Sequence, residues 1–201
     1  MEPRWSWSRS PDAIARGLGA WRDIAWYRRA LRHRPPVNDP VTLRIRPLLP
    51  SDQAVLWDLL HVALWDPPPA PLRPRAVLEL PQVRIYAEDW GRRGDVGVIG
   101  ERRGTDGPIG GCWMRIVPDG QGLAFVDDRT PQLGIAVFPR FQRQGHGGPL
   151  MMAALAAAKE AGHGQVSLTV HPDNPAISLY RRCGFRRAGK RRTFHLMLAR
   201  L

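Results

Sequence analysis

Apolar positions along the chain change their period repeatedly, and each change marks an element. Residues 133–137 form a short run rich in branched side chains and read as a buried strand. Residues 149–161 carry a strong helical pattern, with Pro149 tolerated in the first turn and Gly162 just past the end. Residues 165–171 alternate and read as another strand. Pro172, Asp173, Asn174 and Pro175 then open a helix over 176–183, capped by Asp173 or Asn174 and stopped by Gly184.

The upstream half has the same texture. Residues 41–46 alternate as a first strand. Ser51 is a natural cap for a helix over 54–65, which sets Val55, Leu59, Val62 and Leu64 near one face. A proline cluster at 67–71 breaks the chain before a second helical region, 74–80 and then 83–90. Residues 94–101 and 108–117 read as antiparallel strands joined around Asp106-Gly107, a strong hairpin signal. Residues 130–137 form the strand leading into the glycine-rich stretch, and 191–198 a final strand. Runs of antiparallel strands mixed with helices define an α/β domain.

Residues 1–40 stand apart as an extension. Trp5, Trp7, Trp21 and Trp26 lie among many arginines, and 11–31 have helical apolar spacing before a proline-rich linker. A basic amphipathic helix with tryptophans suits a membrane surface, or packing on the domain or on a second subunit. The expected division is therefore 1–40 and 41–201.

Composition narrows the class. No apolar run reaches the length of a membrane helix, and the N-terminus lacks the apolar stretch of a secretory signal, so a cytoplasmic protein is expected. Cys112 and Cys183 are too few for a disulfide framework, and packing is the expected role of both. The net charge of +12 comes almost wholly from arginine, since Lys159 and Lys190 are the only lysines. Such a surface favours polyanions, but no nucleic-acid motif is present, and an anionic cofactor accounts for the charge more simply.

The chemistry concentrates between residues 140 and 148. A strand, a basic glycine-rich loop and a helix in succession point free backbone N–H groups and the positive end of a helix dipole at an anion. The spacing fits neither Gly-x-Gly-x-x-Gly nor a P-loop ending in Gly-Lys-Ser/Thr. Gln142-Arg143-Gln144-Gly145-His146-Gly147 fits Arg/Gln-x-x-Gly-x-Gly/Ala. Some twenty residues later come Asn174, Tyr180 and Gly184-Phe185. Both strings, in this order, resemble the two signatures of the GNAT superfamily of acyl-CoA-dependent N-acetyltransferases.

That resemblance implies a mixed, mostly antiparallel sheet flanked by helices, with acetyl-CoA as co-substrate and a primary amine as acceptor. It implies that Gln142, Arg143, Gln144, Gly145, His146, Gly147 and Gly148 hold the pyrophosphate. The backbone of Ile135, Ala136 and Val137 would pair with the pantetheine arm, Asn174 would bond it, and Tyr180 would protonate the leaving thiolate. No metal is expected, and a homodimer is allowed. Trp65, Tyr86, Asp89 and Trp90 are candidates for acceptor contact.

Two departures stand out. The usual loop has Arg-Gly where this chain has Gln142-Arg143, and a side chain there is strained if the position needs a positive φ. Many relatives carry a glutamate, a candidate general base, where this chain has Gln132. A base would then come from Asp127, Asp128, His171 or a water chain. The competing reading is a non-catalytic acyl-CoA-binding protein of the same fold. His146 is expected to face solvent or phosphate.

Overall fold

The computed structural model describes residues 43–117 and 120–201. The helix expected over 11–31, and with it the division at residue 40, lies outside the described residues. Strands β1 (Leu43–Pro47), β2 (Val96–Arg102), β3 (Pro108–Arg115), β4 (Gln132–Val137), β5 (Gln165–Val170), β6 (Arg186–Arg191) and β7 (Phe194–Arg200) form one sheet. Its order is β1-β2-β3-β4-β5-β7-β6. Every neighbouring pair is antiparallel except β4 and β5.

Successive strand residues face opposite sides, and helices cover both. Ile99 and Trp113 pack with Leu56, Leu59 and Leu60 of helix α1 (Gln53–Ala63), joined by Val83 of the short helix α2 (Pro81–Arg84). Gly100, on the other face, lets Leu150 of helix α3 (Gly147–Glu160) approach closely. Helix α4 (Ile177–Arg182) follows β5. No helix among the described residues is long and apolar enough to cross a membrane.

Helix boundaries follow local chemistry. Gly162 adopts φ +90°, and the His163 N–H reaches Ala158 O at 3.0 Å, closing α3 with a Schellman turn. Ser51 is not the cap of α1. The chain enters that helix through a 3₁₀ turn at Pro50–Asp52, with Asp52 at the cap position. The Asp52 carboxylate turns back to accept Leu49 N–H at 2.8 Å and the Arg46 guanidinium at 2.7 and 2.8 Å. Burial works against its charge, but these donors outweigh burial and hold its pKa below the ordinary carboxylate value.

Two further expectations are corrected. The region expected to be helical over 74–80 and 83–90 is a 3₁₀ turn at Arg75–Glu79, the four residues of α2, and turns. The C-terminal strand is two strands, with Arg192 at φ +53° in the turn between β6 and β7. Arg115 is fully buried. It meets Asp95 in an ion pair whose side chains are each 2% exposed, donates to Ile85, Glu88 and Asp89 carbonyls, and stacks on the Trp90 ring. Asp95 also takes the N–H groups of Gly91 and Arg92. These bonds fasten the irregular 84–95 segment to β3.

Candidate active site

β4 and β5 pair only at Gln132 and Ser167, reinforced by Ser167 N–H to Pro131 O at 3.0 Å. Parallel strands held together at one end diverge at the other. A cleft of about 830 Å³ opens where they separate. Its walls are Ile135, Ala136 and Val137 of β4, the end of α1 at Val62 and Ala63 with Trp65 just beyond it, the glycine loop, and α4 with the turn before it.

The loop is fastened before it reaches the helix. Gln142 Nε2 donates to Val137 O at 2.9 Å, tying the loop to the strand end. Arg143 follows at φ +60°, left-handed backbone that costs a side-chain-bearing residue about 1 kcal/mol or more. The strain foreseen for this position is therefore present. Gly145 at φ +85° relieves the same geometry two residues on. Helix α3 then starts at Gly147, which lies close against Leu179 of α4. The first amides of a helix have no carbonyl four residues earlier to take them, so the loop presents donors to the cleft.

Gln142, Arg143, Gly145, His146, Gly147 and Gly148 all line this cleft, but Gln144 does not. Gln144 bonds Arg140 O and Arg102 instead. His146, expected to face solvent or phosphate, is turned away from bulk solvent and lines the cleft. It is 8% exposed, sits at the N-cap of α3, and its Nε2 has no partner among the described residues. Arg143 and Arg182 lie in the walls, and no Asp or Glu does among the described residues. Free amides, a helix dipole and two guanidinium groups favour a polyanionic occupant.

On the opposite wall, Asn174 Oδ1 accepts Ala176 N–H at 2.9 Å, which leaves its NH₂ group as a donor. The side chain caps a turn two residues ahead of α4 rather than the helix itself. Tyr180 is 9% exposed, lines the cleft and meets the Phe185 ring edge-on at 6.0 Å between centroids. Burial, with the Cys112 thiol behind it, pushes the Tyr180 hydroxyl well above the ordinary tyrosine pKa, so it stays protonated. Cys183 also faces the cleft, and burial raises its thiol too. Its place in the wall differs from the packing role expected of it, whereas Cys112 is fully buried in β3.

The acceptor candidates divide. Trp65 lines the cleft and stands 5.8 Å from His171, which also meets Phe194 edge-on at 5.9 Å. Trp90 is core, with Nε1 bonded to Leu48 O, and Asp89 pairs with Arg92 at the surface. Tyr86 is bound to Gln132. The sequence carried no signal for that bond, since 46 positions separate the partners.

The family model for acetyltransferase (GNAT) proteins matches residues 57–185. The chain belongs to the acetyltransferase (GNAT) family. It is an acyltransferase. No curated protein sequence matches it. Among solved structures it is similar to the PaiA N-acetyltransferase of Thermoplasma acidophilum in complex with coenzyme A. That match has a TM-score of 0.55 at 16% identity and covers 80% of this chain and 99% of that one. It is also similar to YncA, a putative acetyltransferase of Salmonella typhimurium with acetyl-CoA, at a TM-score of 0.57, 17% identity and coverage of 80% and 94%. A third match is aminoglycoside acetyltransferase AAC(6')-Ib in complex with coenzyme A, at 0.53, 19% identity and coverage of 79% and 95%.

Proposed function

We propose that the protein transfers the acetyl group of acetyl-CoA directly to a primary amine, bound in the cleft between β4 and β5. The observation that carries this reading is the meeting of three features in one cavity: the diverging strand edge, the amide-rich loop at the start of α3, and a buried, protonated tyrosine. Gln142, Arg143, Gly145, His146, Gly147 and Gly148 hold the pyrophosphate through backbone amides and the Arg143 charge, and Gln144 contributes through its backbone alone. Ile135, Ala136 and Val137 offer the exposed strand edge to the pantetheine arm, and the Asn174 NH₂ group donates to it.

The amine lone pair attacks the thioester carbonyl. The tetrahedral intermediate collapses as the C–S bond breaks, Tyr180 gives the leaving thiolate its proton, and the proton lost by the nitrogen restores the Tyr180 phenol. Holding both reactants in one cleft lowers the entropic cost of a bimolecular encounter. A non-catalytic acyl-CoA-binding role is disfavoured by Tyr180, a proton donor that binding alone does not need.

Coenzyme A release from acetyl-CoA, followed with a thiol reagent, tests this reading across a panel of amines. Release that depends on both enzyme and amine, with mass spectrometry finding one acetyl group on the amine, is expected. Acetyl-CoA binding with no amine-dependent release overturns it in favour of the non-catalytic reading.

A further inference from the structure

Positive charge is distributed unevenly over the domain. Arg46, Arg73, Arg84 and Arg115 each hold a carboxylate. Arg181 of α4, Arg186, Arg187, Lys190 and Arg191 of β6, and Arg192 in the turn after it are all exposed. Among the described residues none of these six is in an ion pair. Arg191 donates to the Phe125 and Lys190 carbonyls at 3.4 and 3.2 Å, which hold the side chain without neutralising it. Residues 174–201 contain no Asp or Glu. Residues 1–42 and 118–119 bring Glu2, Asp12, Asp23, Asp39 and Asp119 against a larger number of arginines, so they add net positive charge.

The fold gathers the six at one edge. β6 is the last strand of the sheet and pairs with β7 on its inner side alone. Side chains of a strand point to both faces, so the cations flank the outer edge over a run of about 20 Å. Arg181 joins them from α4. Burial, and then the charges of Arg187, Lys190 and Arg181, lower the pKa of His195 on β7, so the three cations surround one side chain. The cleft does not account for this charge, against the expectation from composition. The cations of its wall are Arg143 and Arg182, and none of the six is among them.

The chemistry of the edge selects its partner. A protein interface is anchored by a buried apolar core, and a membrane-surface helix by an inserted apolar face. The large apolar side chains exposed among the described residues are Leu72, Leu80 and Met152, far from this edge in sequence. Single strands are held by stacking of bases on exposed rings, but Phe185, the one ring between 181 and 192, is fully buried. Guanidinium groups in a row suit phosphates, which take bidentate bonds and repeat at short intervals along a duplex. We infer that the α4–β6 edge docks double-stranded nucleic acid through its phosphate backbone, without regard to base sequence. This surface is separate from the transfer reaction and does not depend on it.

The test is fluorescence anisotropy of the full chain with a labelled DNA duplex, the same duplex in RNA, a polyglutamate peptide, and vesicles of one part phosphatidylserine to three parts phosphatidylcholine. Affinity for a duplex should fall roughly 100-fold or more between about 50 and 200 mM salt, as expected when about four phosphates are neutralised. The tighter of the two duplexes identifies the source. The Arg186→Gln/Arg187→Gln/Lys190→Gln triple variant should lose at least about tenfold in affinity, with a salt slope shallower by about three and a melting curve like that of the wild type. If that variant does not fold, the three single variants carry the test, each with a slope shallower by about one. Equal or tighter binding of polyglutamate or vesicles, wild-type duplex affinity in the folded variants, or no duplex binding at the lower salt overturns the inference and leaves the transferase reading intact.

Discussion

Tyr86 donates its hydroxyl to Gln132 Oε1 at 3.0 Å, while Leu123 N–H donates to the same hydroxyl at 3.1 Å. The pair joins the segment after α2, the loop around residue 123 and the start of β4. Gln132 is the position where a glutamate base was the expectation, and its amide is spent on this junction. Burial pushes Tyr86 up to about 12, so it stays a donor across the working range.

Replacing the amide by a carboxylate therefore adds no base. Gln132→Glu keeps the two acceptor bonds but sets an oxygen against Gln121 O, which loses its donor. A cost of about 1–3 kcal/mol is expected, with no gain in turnover. Chemical denaturation and steady-state kinetics check both, and a faster, equally stable variant would contradict the role given to Gln132.

Arg143 sets stability against affinity. Arg143→Gly removes the strain at φ +60° and should stabilise the fold by roughly 1 kcal/mol. The same change removes a cation from the cleft wall and should weaken acetyl-CoA several-fold, more at low salt than at high salt. Thermal melts and calorimetry on one preparation read the two effects separately. If affinity is unchanged, the side chain does not face the phosphates.

Tyr180→Phe keeps the ring that packs on Phe185 and deletes the proton donor. Turnover should fall about 100-fold or more, with acetyl-CoA affinity within about twofold. An equal loss of both would make Tyr180 a binding residue.

Asp95→Ala strands the Arg115 guanidinium in the core and frees the N–H groups of Gly91 and Arg92. The expected loss is about 3–5 kcal/mol, visible as a large drop in denaturation midpoint. A surface-like change below 1 kcal/mol would mean that the segment from α2 to residue 95 is held some other way.

What the sequence made legible was local. The β4–loop–α3 and β5–turn–α4 units are written in apolar periods and in Gly and Pro punctuation, and their boundaries agree to within a few residues. β6 went unseen because Arg186, Arg187, Lys190 and Arg191 have no apolar alternation. Its strand character comes from pairing with β7 at the sheet edge, where charge also discourages further pairing. The Arg115–Asp95 pair, the Tyr86–Gln132 bond and the burial of His146 depend on groups brought together by the fold, which no window along the chain contains. At Ser51 the rule for caps pointed one residue early, because Asp52 is also bonded to Arg46.

The most direct test of the central claim is calorimetry of acetyl-CoA against the wild-type protein and the Gly147→Asp variant, with ATP as the control nucleotide. Gly147 begins α3 close to Leu179, and an aspartate there places bulk and negative charge at the start of the helix. Micromolar or tighter binding of acetyl-CoA to the wild type, weak ATP, and a loss of at least tenfold in the variant are predicted. Equal affinity in the folded variant, or no binding to the wild type, would contradict the placement of the cofactor in this cleft.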